Sequence, residues 1–196
     1  MGHSRRDKAA SHDRIVRIAA GRFREAGVDG LSVAGLMQEA GLTHGGFYRH
    51  FGSRDDLVAE ALDEALAQSR ATVAAARETG AGYGAIVADY LSPQHRDAPG
   101  TGCAVAALAS ETGRLQGKPR EAFTRHIEAS LDGFLALLRE TNPAATRADA
   151  LLTVTALAGA VAIARGVSDP ALSDEILQGV REKLAALAGP SPSPGV

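Results

Sequence analysis

Within the stretch Thr43-His44-Gly45-Gly46-Phe47-Tyr48-Arg49-His50-Phe51 the chain places a phenol, a guanidinium and two imidazoles close together. Such groups donate hydrogen bonds to anionic oxygens, and a phosphate backbone is held by side chains of these types. Gly45 and Gly46 fall in what would be a helix's first turn, where the missing side chains let another surface approach the backbone. Thr43 has the type of an N-cap, its hydroxyl accepting a backbone N–H two or three residues on. Leu42 and Phe47 have the spacing of a hydrophobic staple. A helix required only to be stable would not be composed this way, and the pattern predicts a DNA recognition helix.

Elsewhere reactive residue types are sparse. Gly80-Ala81-Gly82-Tyr83-Gly84 has the glycine density of a dinucleotide loop, without its spacing or a preceding strand. Ser110, Glu111 and His126 come nearest to a catalytic polar set, yet no spacing brings them together. His44 and His50 are six residues apart and do not share a helical face, which argues against a metal pair. The single cysteine, Cys103, excludes an intrachain disulfide and a Cys-rich zinc site. Near an expected helix start it is either an electrophile or redox sensor or a small packing residue. No catalytic residue, metal or cofactor is expected, so the chain reads as a non-enzyme.

The elements that must position the opening stretch follow from periodicity. Ile15, Ile18, Ala19, Phe23 and Ala26 make one apolar helix face, with Arg14, Arg17, Arg22 and Arg24 mostly off it. Gly27 ends that helix, Val28-Asp29-Gly30 turns, and Ser32 caps a short helix whose inward residues are Val33, Leu36 and Met37. Gly41 ends the short helix and the recognition stretch follows, which is the order of a helix-turn-helix unit. Ser53 then caps a long helix, with Asp55 and Asp56 at its positive end. Beyond it come a short helix at Tyr83–Leu91, a loop over residues 92–100, a helix from about Cys103, and a longer one from Pro119. An almost wholly apolar helix from about Arg147 to Val167 and an amphipathic helix capped by Ser173 complete the body.

Composition agrees. An apolar share of 45% with few aromatics leaves Ala, Leu and Val to pack the core, favouring an all-α protein. Residues 1–54 carry nine Lys/Arg against five Asp/Glu, a net of +4, and the remainder carries twelve against eighteen, a net of −6. A basic head on an acidic body suits a nucleic-acid-binding module joined to a partner domain. The longest apolar run, Ala150 to Ala164, falls short of the ~18 residues of a membrane span. No signal peptide opens the sequence, so a cytoplasmic protein with no membrane partner is expected. The domains expected are a flexible arm at 1–12, a helix-turn-helix head at 13–57, a ligand-binding and dimerisation body at 58–188, and a disordered tail at 189–196.

Residues 13 to about 57 closely resemble the DNA-binding domain of TetR-family transcriptional regulators. The resemblance rests on Ala40-Gly41, Gly45, Phe47-Tyr48, His50-Phe51, Ser53-Arg54 and Leu57. Leu36-Met37 departs from the Ile-Ala common in the family, a change that concerns packing. The resemblance implies a homodimeric regulator, usually a repressor, that binds a palindromic operator and is released by a small-molecule effector. It implies phosphate contacts from Tyr48, His50 and Arg54, and base or backbone approach by Thr43, His44, Gly45 and Gly46. Ser32 and Arg49 complete the expected DNA face, and Phe47 and Phe51 are expected in the core. In the body, Tyr83, Tyr90, Cys103, Phe123 and His126 are candidates for the effector pocket. Leu152, Ala156, Gly159, Ala160 and Ile163, with Leu177, Val180 and Leu184, are candidates for a four-helix dimer interface. The alternatives are a helical enzyme with a DNA-binding appendage, betrayed by turnover of a pocket ligand, and a non-sensing architectural DNA binder.

Overall fold

The computed structural model describes residues 5–189, and among them every regular element is helical. The all-α expectation is met. The helices are α1 (Arg5–Ala26), α2 (Val33–Glu39), a 3-10 helix (His44–Arg49), α3 (Arg54–Glu78), α4 (Tyr83–Tyr90), α5 (Pro93–Asp97) and a 3-10 turn (Pro99–Thr101). They continue with α6 (Ala104–Thr112), α7 (Lys118–Thr141), α8 (Arg147–Gly166), α9 (Pro170–Ala185) and a last 3-10 turn (Ala186–Ala188).

The chain divides into two compact units. The first runs through Ser69 and resumes from Pro99 to Phe123, and the second takes Arg70–Ala98 and the chain from Thr124 onward. In the first unit, α1 packs against α2, α6 and the 3-10 turn Pro99–Thr101. Ile15, Ala19 and Phe23 are buried as the periodicity predicts, but Val16, Ala20 and Arg24 form a second buried stripe beside them. Arg24 is thus not off the buried face. Cover on two sides of α1 leaves it 5% exposed, with Nη2 donating to Gln68 Oε1 at 2.7 Å and Nη1 to Ala65 O at 3.4 Å. Burial lowers its pKa from the ordinary arginine value. Residues 5–12, expected as an arm, are instead the first turns of α1. Ala9 and Ala10 favour helix, and Asp7 complements the positive end of the dipole. Residues 1–4 of the expected arm, and all but Gly189 of the expected tail, lie outside the described residues.

In the second unit α9 packs along α8 and also receives α4, while α5 packs on α8. Leu157, Val161 and Ala164 of α8 and Leu177 and Leu184 of α9 are buried. Two local expectations are corrected. Ser173 does not cap α9: Asp169 does, accepting from Ala171 N at 2.9 Å, with Pro170 in the first turn. Ser173 lies inside the helix, buried, and donates to Ala164 O at 2.7 Å. The expected loop over 92–100 contains α5, because Ser92 caps it by accepting from His95 N and Pro93 suits the first turn. By length and composition α8 could cross a membrane, but a core helix passes the same test, and one face of α8 is buried against α9.

Candidate nucleic-acid interface

The interface is built from the turn upward. Ser32 caps α2 by accepting from Gly35 N at 3.1 Å. After α2, Gly41 takes φ +71°, a left-handed conformation that costs glycine nothing, and Leu42 N bonds back to Met37 O at 2.8 Å. The chain then enters the segment His44–Arg49 as a 3-10 helix and not a full α-helix. Two glycines disfavour α-helix, and the short bonds Gly46 N to Thr43 O and His50 N to Phe47 O close its turns. Thr43 occupies the N-cap position in extended conformation, but its hydroxyl makes no capping bond, contrary to expectation.

Phe47 and Phe51 pin this segment to the head. They are 2% and 3% exposed, with ring centroids 5.3 Å apart. His12 of α1 stacks on Phe51 at 4.7 Å and is held by Glu60 of α3, Nε2 to Oε2 2.6 Å. His12 and Glu60 are supports that periodicity missed, since 48 residues separate them and neither carries a local signal.

On the other side the segment is open. Thr43, His44, Gly45, Tyr48 and Arg49 are exposed. Tyr48 is 75% exposed, its ring edge against Phe47. A Cβ built on Gly45 would meet nothing within 4 Å, whereas one on Gly46 would touch Met37 Cε at 3.5 Å. His50 is half-buried and its Nδ1 has no hydrogen-bond partner. Burial, then the neighbouring His12, Lys8 and Arg49, hold its pKa below the ordinary histidine value. Ser53 caps α3, accepting from Asp56 N at 3.1 Å. Arg54 donates through Nη2 to Val28 O at 2.7 Å and to Asp29 Oδ1 at 3.0 Å. A phenol, a guanidinium, an imidazole and a bare glycine backbone therefore share an open edge above a fixed aromatic base.

Residues 15–61 match the family described as bacterial regulatory proteins, tetR family. Solved structures share the fold over nearly the whole chain. A TetR regulator from Chloroflexus aurantiacus aligns with TM-score 0.77 and 22% identity, covering 92% of this chain and 96% of its own. The transcriptional regulator of the TetR family from Cytophaga hutchinsonii aligns with TM-score 0.76 and 19% identity, covering 95% and 98%. Residues 15–61 therefore carry a tetR-family DNA-binding domain, and the chain as a whole has the fold of TetR-family regulators. A third TetR-family regulator, from Streptomyces coelicolor, is 25% identical with TM-score 0.71, covering 92% and 97%. No curated protein matches the chain.

As in those TetR-family structures, a helical body follows the head. The five pocket candidates are divided between the units: Cys103 and Phe123 in the first, Tyr83, Tyr90 and His126 in the second. Cys103 is half-buried at the N-cap of α6. The Tyr83 hydroxyl is 2.9 Å from Thr153 Oγ1 and its ring stands edge-on to Phe134, so Tyr83 is part of the core. Tyr90 packs on His95, centroids 4.5 Å apart. His126 is 4% exposed and its Nδ1 lies 3.1 Å from Arg70 Nη1, the ring accepting. Burial, then the Arg70 charge, push its pKa down to about 4.

The interface candidates also divide. Leu177 and Leu184 are buried within the unit, and Ala160 is 5% exposed. Ala156, Gly159 and Val180 are intermediate. Leu152 and Ile163 project outward, 52% and 58% exposed, and Leu151 and Leu172 are further exposed apolar residues on α8 and α9. A Cβ at Gly159 would meet nothing within 4 Å.

Proposed function

We propose that this protein is a TetR-family repressor that binds a palindromic DNA operator as a homodimer and is released by a small-molecule effector. The observation that carries the DNA reading is the two-sided segment at His44–Arg49, with Phe47 buried and Tyr48 exposed beside it. In this reading Tyr48, Arg49 and His50 hold phosphates, and His44 reaches a base edge where Gly45 and Gly46 admit close approach. Because Nδ1 of His50 is buried, Nε2 would be the nitrogen that meets the phosphate. Thr43 and Ser32 approach the backbone, and Arg54 reaches a phosphate while bracing the turn after α1.

Homodimerisation is supported by the exposed apolar residues of α8 and α9. Leu152 and Ile163 present one exposed apolar face of α8 that water disfavours, with Gly159 between them allowing a partner helix close in. Two heads would then meet half-sites about 34–36 Å apart, or at multiples of that spacing. The effector would enter the second unit, with Tyr83, Tyr90 and His126 as candidate contacts there. The protein would act in the cytoplasm and carry out no catalysis.

The test begins by selecting bound sequences from random duplexes with the purified full-length protein. A roughly palindromic consensus, retained in gel shifts with the protein's own upstream DNA, is the expected result. Failure to enrich any duplex sequence would refute the reading.

A further inference from the structure

The end of α1 carries an arrangement that capping chemistry does not require. Gly27 takes φ +78° and its N–H bonds to Phe23 O at 2.9 Å, which is the single-bond form of a helix C-cap. In that form the next amide, Val28 N–H, receives no acceptor from the helix it follows. It donates instead to Glu111 Oε2 at 2.7 Å, near the end of α6 and 83 residues away. A carboxylate is electrostatically disfavoured at a helix C-terminus, where the dipole is negative. Its presence there is offset by the captured amide. Gly27 accommodates it: a Cβ on that residue would stand 2.6 Å from Glu111 Oε1.

The carbonyl of the same residue is also taken. Val28 O accepts from Arg54 Nη2 at 2.7 Å, and the same nitrogen donates to Asp29 Oδ1 at 3.0 Å. Residue 28 is therefore gripped on its N–H by α6 and on its C=O by the first residue of α3. The other end of α6 is tied to α3 as well, Ala104 N donating to Ser69 Oγ at 3.1 Å. All these groups lie in the first compact unit, yet Glu111 lies outside residues 15–61, which match the family's DNA-binding head.

We propose that Glu111 is a positioning residue for DNA binding, its carboxylate clamping the Val28 amide so that the α1–α2 turn and Arg54 are held in register with the recognition segment. The inference rests on the DNA-binding reading. Without the carboxylate, Val28 N–H loses its acceptor, the turn relaxes, and Arg54 follows the carbonyl it holds.

The test uses the full-length protein with Glu111→Ala and Glu111→Gln. Glutamine keeps an acceptor oxygen, so it restores what alanine loses. Amide hydrogen exchange at Val28 reports the clamp without DNA, and operator titration reports its consequence well below the melting temperature. The expected result is that alanine speeds Val28 exchange and weakens DNA binding about tenfold each, and that glutamine recovers most of both. Gly27→Ala, which displaces the carboxylate, should speed Val28 exchange in the same way. Unchanged exchange in Glu111→Ala would show that no clamp exists. Faster exchange with unaltered DNA affinity would overturn the positioning role. A wild-type protein that binds no duplex would sink the regulator reading and this role together, while Val28 exchange still decides whether the clamp is real.

Discussion

Replacing Tyr48 by phenylalanine isolates one oxygen. The side chain is 75% exposed and its ring keeps the edge contact with Phe47, so folding stability should change by less than about 0.5 kcal/mol. A phenol donating to a phosphate oxygen is a hydrogen bond to a charged group, about 1.5–3 kcal/mol. A dimer loses two such bonds, so operator affinity should fall by roughly 3–6 kcal/mol, which is about a hundredfold or more. The slope of log affinity against log salt should stay unchanged, because a neutral phenol releases no counterion. Arg49→Ala supplies the contrast: each head loses one cation, and the dimer's salt slope should fall by about 2. Both are read by fluorescence anisotropy with a labelled operator at several salt concentrations, alongside thermal melts. Operator binding by Tyr48→Phe within about twofold of wild type would refute the phosphate contact. A loss of affinity accompanied by a melting point several degrees lower would assign Tyr48 to packing instead.

Phe47→Ala should behave oppositely, costing about 3–5 kcal/mol of folding stability because the ring is 2% exposed, and abolishing DNA binding through unfolding of the head in calorimetry. Ile163→Glu puts a charge on a residue 58% exposed in the monomer, so it should leave the fold intact and yield monomers in analytical ultracentrifugation; a persistent dimer would exclude this face. His126 supplies a pH prediction. Its pKa is pushed down from 6.5 to about 4, so the unfolded chain takes up the proton first, and stability present above about pH 6.5 is lost as pH falls towards 4. The full effect is about 3 kcal/mol, and His126→Asn should flatten that part of the stability profile in denaturant titrations.

Much of the head was legible because its signals are local. Ser32, Gly27, Gly41 and Ser53 each stop or start a helix through bonds to residues within a turn, and capping chemistry depends on residue type and spacing alone. The alternation of Phe47 and Phe51 inward with Tyr48 outward also follows from residue character. Local signals misled where tertiary contacts competed with them. Ser173 has the type of a cap, but Asp169 with Pro170 stands earlier, and a buried Ser173 hydroxyl found Ala164 O instead. Arg24 has the type of a surface residue, yet cover from two sides of α1 buried it against Gln68.

By itself the sequence determined the all-helical class, the basic head, and the stretch from Thr43 to Phe51 with its aromatic pins, because periodicity, propensity and charge are properties of neighbouring residues. Only the tertiary structure decided that His12 and Glu60 support that stretch, and that Glu111 reaches the Val28 amide. Those outcomes join residues tens of positions apart, and a hydrogen bond across such a separation depends on where two elements pack, which no local pattern encodes.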